Sequence, residues 1–141
     1  MKRLLILFVS LTMLLAWNTQ ARMNYDDDKI SLLLSHSEHM LYVKKGDFIL
    51  KSYKVALGSG GGGGKIQEGD SRTPLGQYLI TEVRDSERFH LFMGLNYPNI
   101  KDAKRALTSK LITRRDYRAV LDAHIFGRNP PQNLILGGAI G

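Results

Sequence analysis

The sequence predicts a mostly β domain with a helical insertion, on three observations. Short apolar runs of strand length, separated by glycine-containing turns, fill residues 30–98. Apolar residues at helical spacing take over between Asn99 and Gly127. A last apolar run, "LILGGAIG", follows the proline loop "RNPPQN".

"ISLLLS" (Ile30 to Ser35) is apolar and of strand length. "HMLYVKKGDFILKSYKVALG" reads as a hairpin, with Leu41 and Val43 alternating with Tyr42, a turn at "KKGD", and a return from Phe48 to Leu57. "GQYLITEVR" (Gly76 to Arg84) and "RFHLFMGLNYP" (from Arg88) read as two more strands. Beyond Asn99, one apolar stripe holds Ala103, Ala106, Leu107 and Leu111, and a second holds Tyr117, Val120, Leu121 and Ile125. Thr113 and Asp116 have capping-box spacing, which predicts two helices with a break near Ile112. Gly127 suits the C-terminal end of the second helix. "LILGGAIG" is expected to open as a strand, and its small apolar residues read as a core strand cut short.

A chain of 141 residues supports one modest domain. The absence of cysteine excludes a disulfide framework, a cysteine-based zinc site and a thiol nucleophile within these residues. The formal charge of +7 favours anionic surroundings. Lys2 and Arg3, then an almost unbroken apolar stretch from Leu4 to Trp17, then Thr19 and Ala21 flanking Gln20, form a secretory signal pattern. The apolar run is shorter than the roughly 20 residues of a spanning helix. Residues 1–21 are therefore expected to be a cleaved signal peptide, with an uncleaved N-terminal anchor as the alternative, and residues 22–29 a polar lead-in. Cleavage after Ala21 would lower the formal charge from +7 to +5 by removing Lys2 and Arg3. Export to the periplasm or cell envelope argues against a nucleic-acid partner.

"GSGGGGGK" invites a phosphate-loop reading, but Ser59 stands where the first glycine belongs and Ile66 where Ser or Thr must follow the lysine. The run reads better as a loop inside one sheet. Five consecutive glycines are costly to order, which suits a mobile flap beside a groove or a plain flexible surface loop. In "GDSRTPLGQY", Pro74 fixes its own φ and biases Thr73 to extended backbone, and Gly76 permits a turn. Asp70 is expected to cap the turn or to bridge to Arg72, as a surface ion pair or as a buried pair shaping a groove. His36 and His39, three apart, lie at a strand edge or turn, and on an extended strand they would face opposite sides, which argues against a metal pair. His124 falls on the apolar side of a helix, as a satisfied core or boundary residue.

"YKVALG", "KIQEGDSRTPLGQYLIT", "LNYPNIKDAKRA" and "PPQNLILGGAIG", in that order and spacing, resemble the first half of an L,D-transpeptidase catalytic domain of the YkuD-like family. Gly69, Asp70, Arg72, Thr73, Pro74 and Gly76 fall on the family's "GD-x-[RK]-TP-x-G" stretch. "LNYPN" with Asp102 and Ala106 falls on its "YPN…D…A" stretch. The glycine run departs from the Asn or Pro that the family carries in that loop.

The resemblance implies a partial, β-sandwich-like transpeptidase domain over residues 30–141, a secreted location and peptidoglycan stem peptides as substrate. In that family a cysteine thiolate attacks a carbonyl of a tetrapeptide stem to form a thioester, and an amine of another stem or of an anchored protein resolves it. The family's catalytic His-Gly and Gly-Cys segments would lie beyond Gly141, so this stretch is expected to be inactive by itself, with no cofactor and no metal. Gly69, Asp70, Arg72, Thr73, Pro74, Gly76 and Tyr97 become the substrate-groove or loop candidates. Lys101, Lys104, Arg105, Arg114, Arg115 and Arg118 form a basic helical region, either a solvated face or a contact to anionic wall polymer or lipid headgroups. A non-catalytic wall-binding protein is the alternative reading.

Overall fold

A computed structural model describes residues 29–141. The expected signal peptide and all but the last residue of the lead-in lie outside the described residues. The chain divides into two compact units, Met1–Ala56 and Leu57–Gly141.

In the first unit three strands form an antiparallel sheet in the order β1-β2-β3. They are β1 (Ile30–Ser35), β2 (Met40–Lys45) and β3 (Phe48–Lys54). Leu34 pairs with Leu41 and Leu32 with Val43, while Leu41 also faces Tyr53, so these side chains share one face. Gly46, with φ 55°, opens the two-residue link between Lys45 and Phe48, where a hairpin turn requires positive φ. The register shifts between Val43 and Lys44, which marks a bulge. All three strands are exposed or half-buried along their length.

Of the two placements open to His36 and His39, strand edge or turn, they take the turn. Both sit in the turn between β1 and β2, where His39 has φ 53° and their rings lie 6.4 Å apart. The turn removes the alternation that would have sent them to opposite faces.

In the second unit, β4 (Ile80–Asp85) and β5 (Leu91–Leu95) pair antiparallel. β4 begins four residues later than the expected start at Gly76, because Leu75–Leu79 is held by irregular bonds instead. Leu79 N–H donates to Asn96 Oδ1 at 2.7 Å and Asn96 N–H donates to the Leu79 carbonyl at 3.0 Å.

Helices α1 (Ile100–Thr108) and α2 (Arg114–Ile125) follow. Each starts on a capping box, Asn99 with Asp102 and Thr113 with Asp116. Each ends on a Schellman pattern. At the end of α1, Lys110 N–H reaches the Leu107 carbonyl and Leu111 N–H the Ala106 carbonyl, with Lys110 at φ 59°. At the end of α2, Gly127 takes the same left-handed place with φ 62°.

The buried cluster is Tyr97, Ala103, Ala106, Ile112, Val120 and Leu136. It belongs to the helices and the segments entering and leaving them. Among the described residues the fold is mostly β by element count, with two antiparallel sheets and two helices, yet the buried cluster gathers around the helices.

"LILGGAIG" is not a strand. Gly137 N–H closes a turn on the Leu134 carbonyl at 2.8 Å, and Gly137 and Ala139 have φ of 85° and 51°. Left-handed residues two apart break an extended run. Gln132 fixes the bend by accepting from Ala139 N–H at 2.7 Å. The segment still meets β5 at one point, where Leu95 N–H donates to the Ile140 carbonyl at 2.8 Å.

Candidate functional site

The Gly69–Gly76 stretch is organised by Asp70. Its Oδ1 accepts from Lys65 Nζ at 2.8 Å and from Arg72 N–H at 3.1 Å. Its Oδ2 accepts from the backbone N–H groups of Ile66 at 2.6 Å and Gln67 at 3.1 Å. Partial burial pushes the carboxyl pKa up, but the Lys65 ammonium and the three N–H donors outweigh it and hold the group well below the usual carboxylate range.

Of the two roles expected for Asp70, it caps the turn and forms no side-chain pair with Arg72. Arg72 gives only its backbone N–H to Asp70, while its Nε–H crosses to the Gly60 carbonyl at 3.1 Å. The ion-pair partner is Lys65. Its spacing of five from Asp70 across a loop is no periodic signal, so only the fold reveals the pair.

Arg72 and its neighbours also pin the near end of the glycine run. Gly60 N–H donates to the Ser71 carbonyl at 2.7 Å and Gly58 N–H to Thr73 Oγ1 at 2.9 Å. A Cβ on Gly58 would lie 2.2 Å from the Ser71 carbonyl oxygen, and one on Gly60 2.1 Å from that of Asp70. Glycine is required at both positions by this close approach. Gly69 has φ 79°, and Pro74 is half-buried.

The second motif stretch is built around Asp102, only 2% exposed. It accepts from Tyr78 Oη–H at 2.7 Å, from Asn99 N–H at 3.1 Å and from Arg105 Nη2–H at 3.0 Å. Arg105 Nη2–H also donates to the Lys65 carbonyl at 2.6 Å. Burial, then the Asp102 acceptor, push the Tyr78 hydroxyl pKa upward, so it stays a donor. A Cβ on Gly76 would lie 2.8 Å from Asn99 Nδ2. The two motif stretches, distant in sequence, are thus joined in two places, at Gly76 with Asn99 and at Lys65 with Arg105, which also binds Asp102.

Tyr97 is fully buried, so it presents no surface to a groove. Its hydroxyl donates to the Leu136 carbonyl at 3.1 Å, its carbonyl accepts from Gln132 Nε2–H at 2.8 Å, and its peptide bond to Pro98 is cis. His124 Nε2 lies 2.9 Å from the Pro98 carbonyl. Of the basic helical residues, Arg105 is tied to Lys65 and Asp102, whereas Lys101, Lys104, Arg114, Arg115 and Arg118 are exposed.

Chemically, this arrangement can position and bind. Asp70 and Asp102 are both saturated with donors, which leaves neither free as a general base. Among the described residues, no group of three or more His, Cys, Asp or Glu side chains could hold a metal ion.

Two curated proteins match the chain: "Putative L,D-transpeptidase YafK" of Escherichia coli (strain K12) and the protein of the same name of Escherichia coli O157:H7. The chain is similar to YafK. In each case the identity is 32% over 76 residues, covering 51% of this chain and 31% of the relative. The match thus spans about a third of the length of these relatives. No protein-family model matches the chain, and no solved structure matches it significantly.

Proposed function

We propose that this chain is part of an exported, L,D-transpeptidase-like protein that acts on peptidoglycan, and that its described residues position stem peptides. The observation that carries the reading is the interlock of the two motif stretches through Lys65, Asp102 and Arg105 and through Gly76 and Asn99. Residues picked out by the resemblance to one family occupy one connected framework. The similarity to YafK supports the same family.

Thioester chemistry needs a thiolate, and these 141 residues contain no cysteine. A thiolate attacks far better than any hydroxyl at neutral pH, so the chain by itself is expected to bind stems without transferring acyl groups. The same fact favours the second reading, a non-catalytic wall-binding protein. On either reading the exposed Lys101, Lys104, Arg114, Arg115 and Arg118 would add salt-sensitive attraction to anionic envelope polymers.

The test is incubation with purified peptidoglycan and with tetrapeptide muropeptides. Co-sedimentation with peptidoglycan, with neither cross-linked dimers nor released D-alanine, is the expected result. Failure to sediment with peptidoglycan would remove both readings, and product formation would remove the claim of inactivity. N-terminal sequencing of protein recovered from the envelope checks export, with Arg22 expected as the new first residue.

A further inference from the structure

The glycine run has a chemistry that the framework above does not use. Gly58 and Gly60 are required by close packing, and Gly61 and Gly63 by φ of 82° and 93°. Gly62 and Gly64 are required by neither: a Cβ on Gly62 would meet nothing within 4 Å, and one on Gly64 would make only ordinary contacts. What glycine does there is leave the backbone bare. The left-handed φ at Gly61 and Gly63 alternates with Gly62 and Gly64, which lack it. A run of bare backbone N–H groups supplies the donors from which an anion-binding concavity is built. The N–H groups of Gly61 to Gly64 donate to no acceptor among the described residues.

Two guanidinium groups converge on the same loop. A Cβ built on Gly63 would lie 3.6 Å from Arg72 Nη1, and one on Gly64 3.7 Å from Arg105 Nη1. Both side chains are anchored elsewhere, Arg72 through Nε to the Gly60 carbonyl and Arg105 through Nη2 to the Lys65 carbonyl and Asp102. Their Nη1 groups are left available. Lys65, Arg72 and Arg105 carry three positive charges here against two on Asp70 and Asp102. Lys65 is paired with Asp70 and Arg105 with Asp102, which leaves the Arg72 guanidinium as the cation at this loop without a carboxylate partner among the described residues.

We propose that Gly61–Gly64, with Arg72 and Arg105, binds a carboxylate such as the C-terminal carboxylate of a peptide. Arg72 and Arg105 supply charge-assisted N–H donors, and the glycine N–H groups complete the cradle. The site draws only on these residues, so it stands or falls apart from the peptidoglycan reading.

The experiment titrates the full 141-residue chain, ¹⁵N-labelled, with N-acetyl-D-alanine, with its neutral amide, and with inorganic phosphate, following backbone amide shifts. The acid is expected to bind with a Kd on the order of 1 mM, shifting Gly61 to Gly64 most and leaving α2 unmoved. The amide should bind at least about 10-fold more weakly, since it lacks the charge. Gly62→Asp puts a carboxylate into open space on the loop and should abolish binding, while the isosteric neutral Gly62→Asn should keep it. Equal binding of acid and amide, equal behaviour of the two variants, or shifts centred outside the loop would each overturn the site. Phosphate binding about 10-fold tighter than the acid would overturn its assignment to a carboxylate. The acid–amide comparison uses the unaltered chain, so it stands even if a variant fails to fold.

Discussion

Lys65 Nζ and Asp70 Oδ1 meet at 2.8 Å with side chains only 8% and 13% exposed. An ion pair so withdrawn from water is held less by Coulomb attraction than by the cost of leaving either member alone. Asp70 carries the larger share, because it also serves three backbone N–H groups. Asp70→Ala should therefore destabilise the protein by roughly 3–5 kcal/mol. Lys65→Met, which keeps the aliphatic stem and leaves Asp70 its N–H donors, should cost only about 1–2 kcal/mol. Urea melts of both variants give the ranking, and a larger loss for Lys65→Met would contradict this account.

Acid should act on the same group. The folded-state pKa of Asp70 lies below its ordinary value near 3.8, so the unfolded chain binds a proton first as the pH falls. The stability from Asp70 is then fully present above about pH 4 and is lost as the pH drops toward the folded-state value. The gap in melting temperature between the unaltered protein and Asp70→Ala should be constant from pH 5 to 7 and narrow below about pH 4. A gap that widened on acidification would carry the wrong sign.

Gly76→Ala tests the seam between the motif stretches. The added methyl would lie 2.8 Å from Asn99 Nδ2, at a backbone φ of 150°. Asn99 is the N-cap of α1, so displacing it disturbs the helix start as well as the packing. A loss of about 1–3 kcal/mol is expected. Thermal unfolding of Gly76→Ala that matched the unaltered protein would show that the seam yields freely.

Lys110→Gly should stabilise. Lys110 occupies the left-handed place after α1 with φ 59°, where a side chain costs roughly 1–2 kcal/mol and glycine costs little. A gain of about 1 kcal/mol in denaturant melts is expected, and Lys110→Val should move stability the other way.

What the sequence made legible follows from how local each signal is. An apolar run of strand length, the alternation around Tyr42 and the "KKGD" turn place β1, β2 and β3 within a few positions, because each is a short-range property of the chain. The Thr113–Asp116 box and Gly127 were readable for the same reason, each being a rule over three or four residues. "LILGGAIG" was misleading because apolar content alone does not report left-handed φ at an alanine such as Ala139. His36 and His39 stay open between strand edge and turn in the sequence, because the four residues between the two apolar runs carry no Gly or Pro to decide it. In the candidate site, the motif stretches were legible, but Lys65 with Asp70 and Arg105 with the Lys65 carbonyl were not. Those pairings depend on where loops return to in three dimensions, and no spacing encodes them.

The burial of Tyr97, Ala103, Ala106, Val120 and Leu136 has a consequence for how the molecule breathes. Local opening is hardest where backbone hydrogen bonds are roofed by packed side chains. The amides of α1 and α2 facing this cluster should therefore be the last to take up deuterium. Strands β1 to β4 lack a single fully covered residue, so their amides should exchange through small, frequent openings well before the helical ones. Although most of the described elements are strands, the kinetic centre of gravity of the described residues would sit in the short helices α1 and α2.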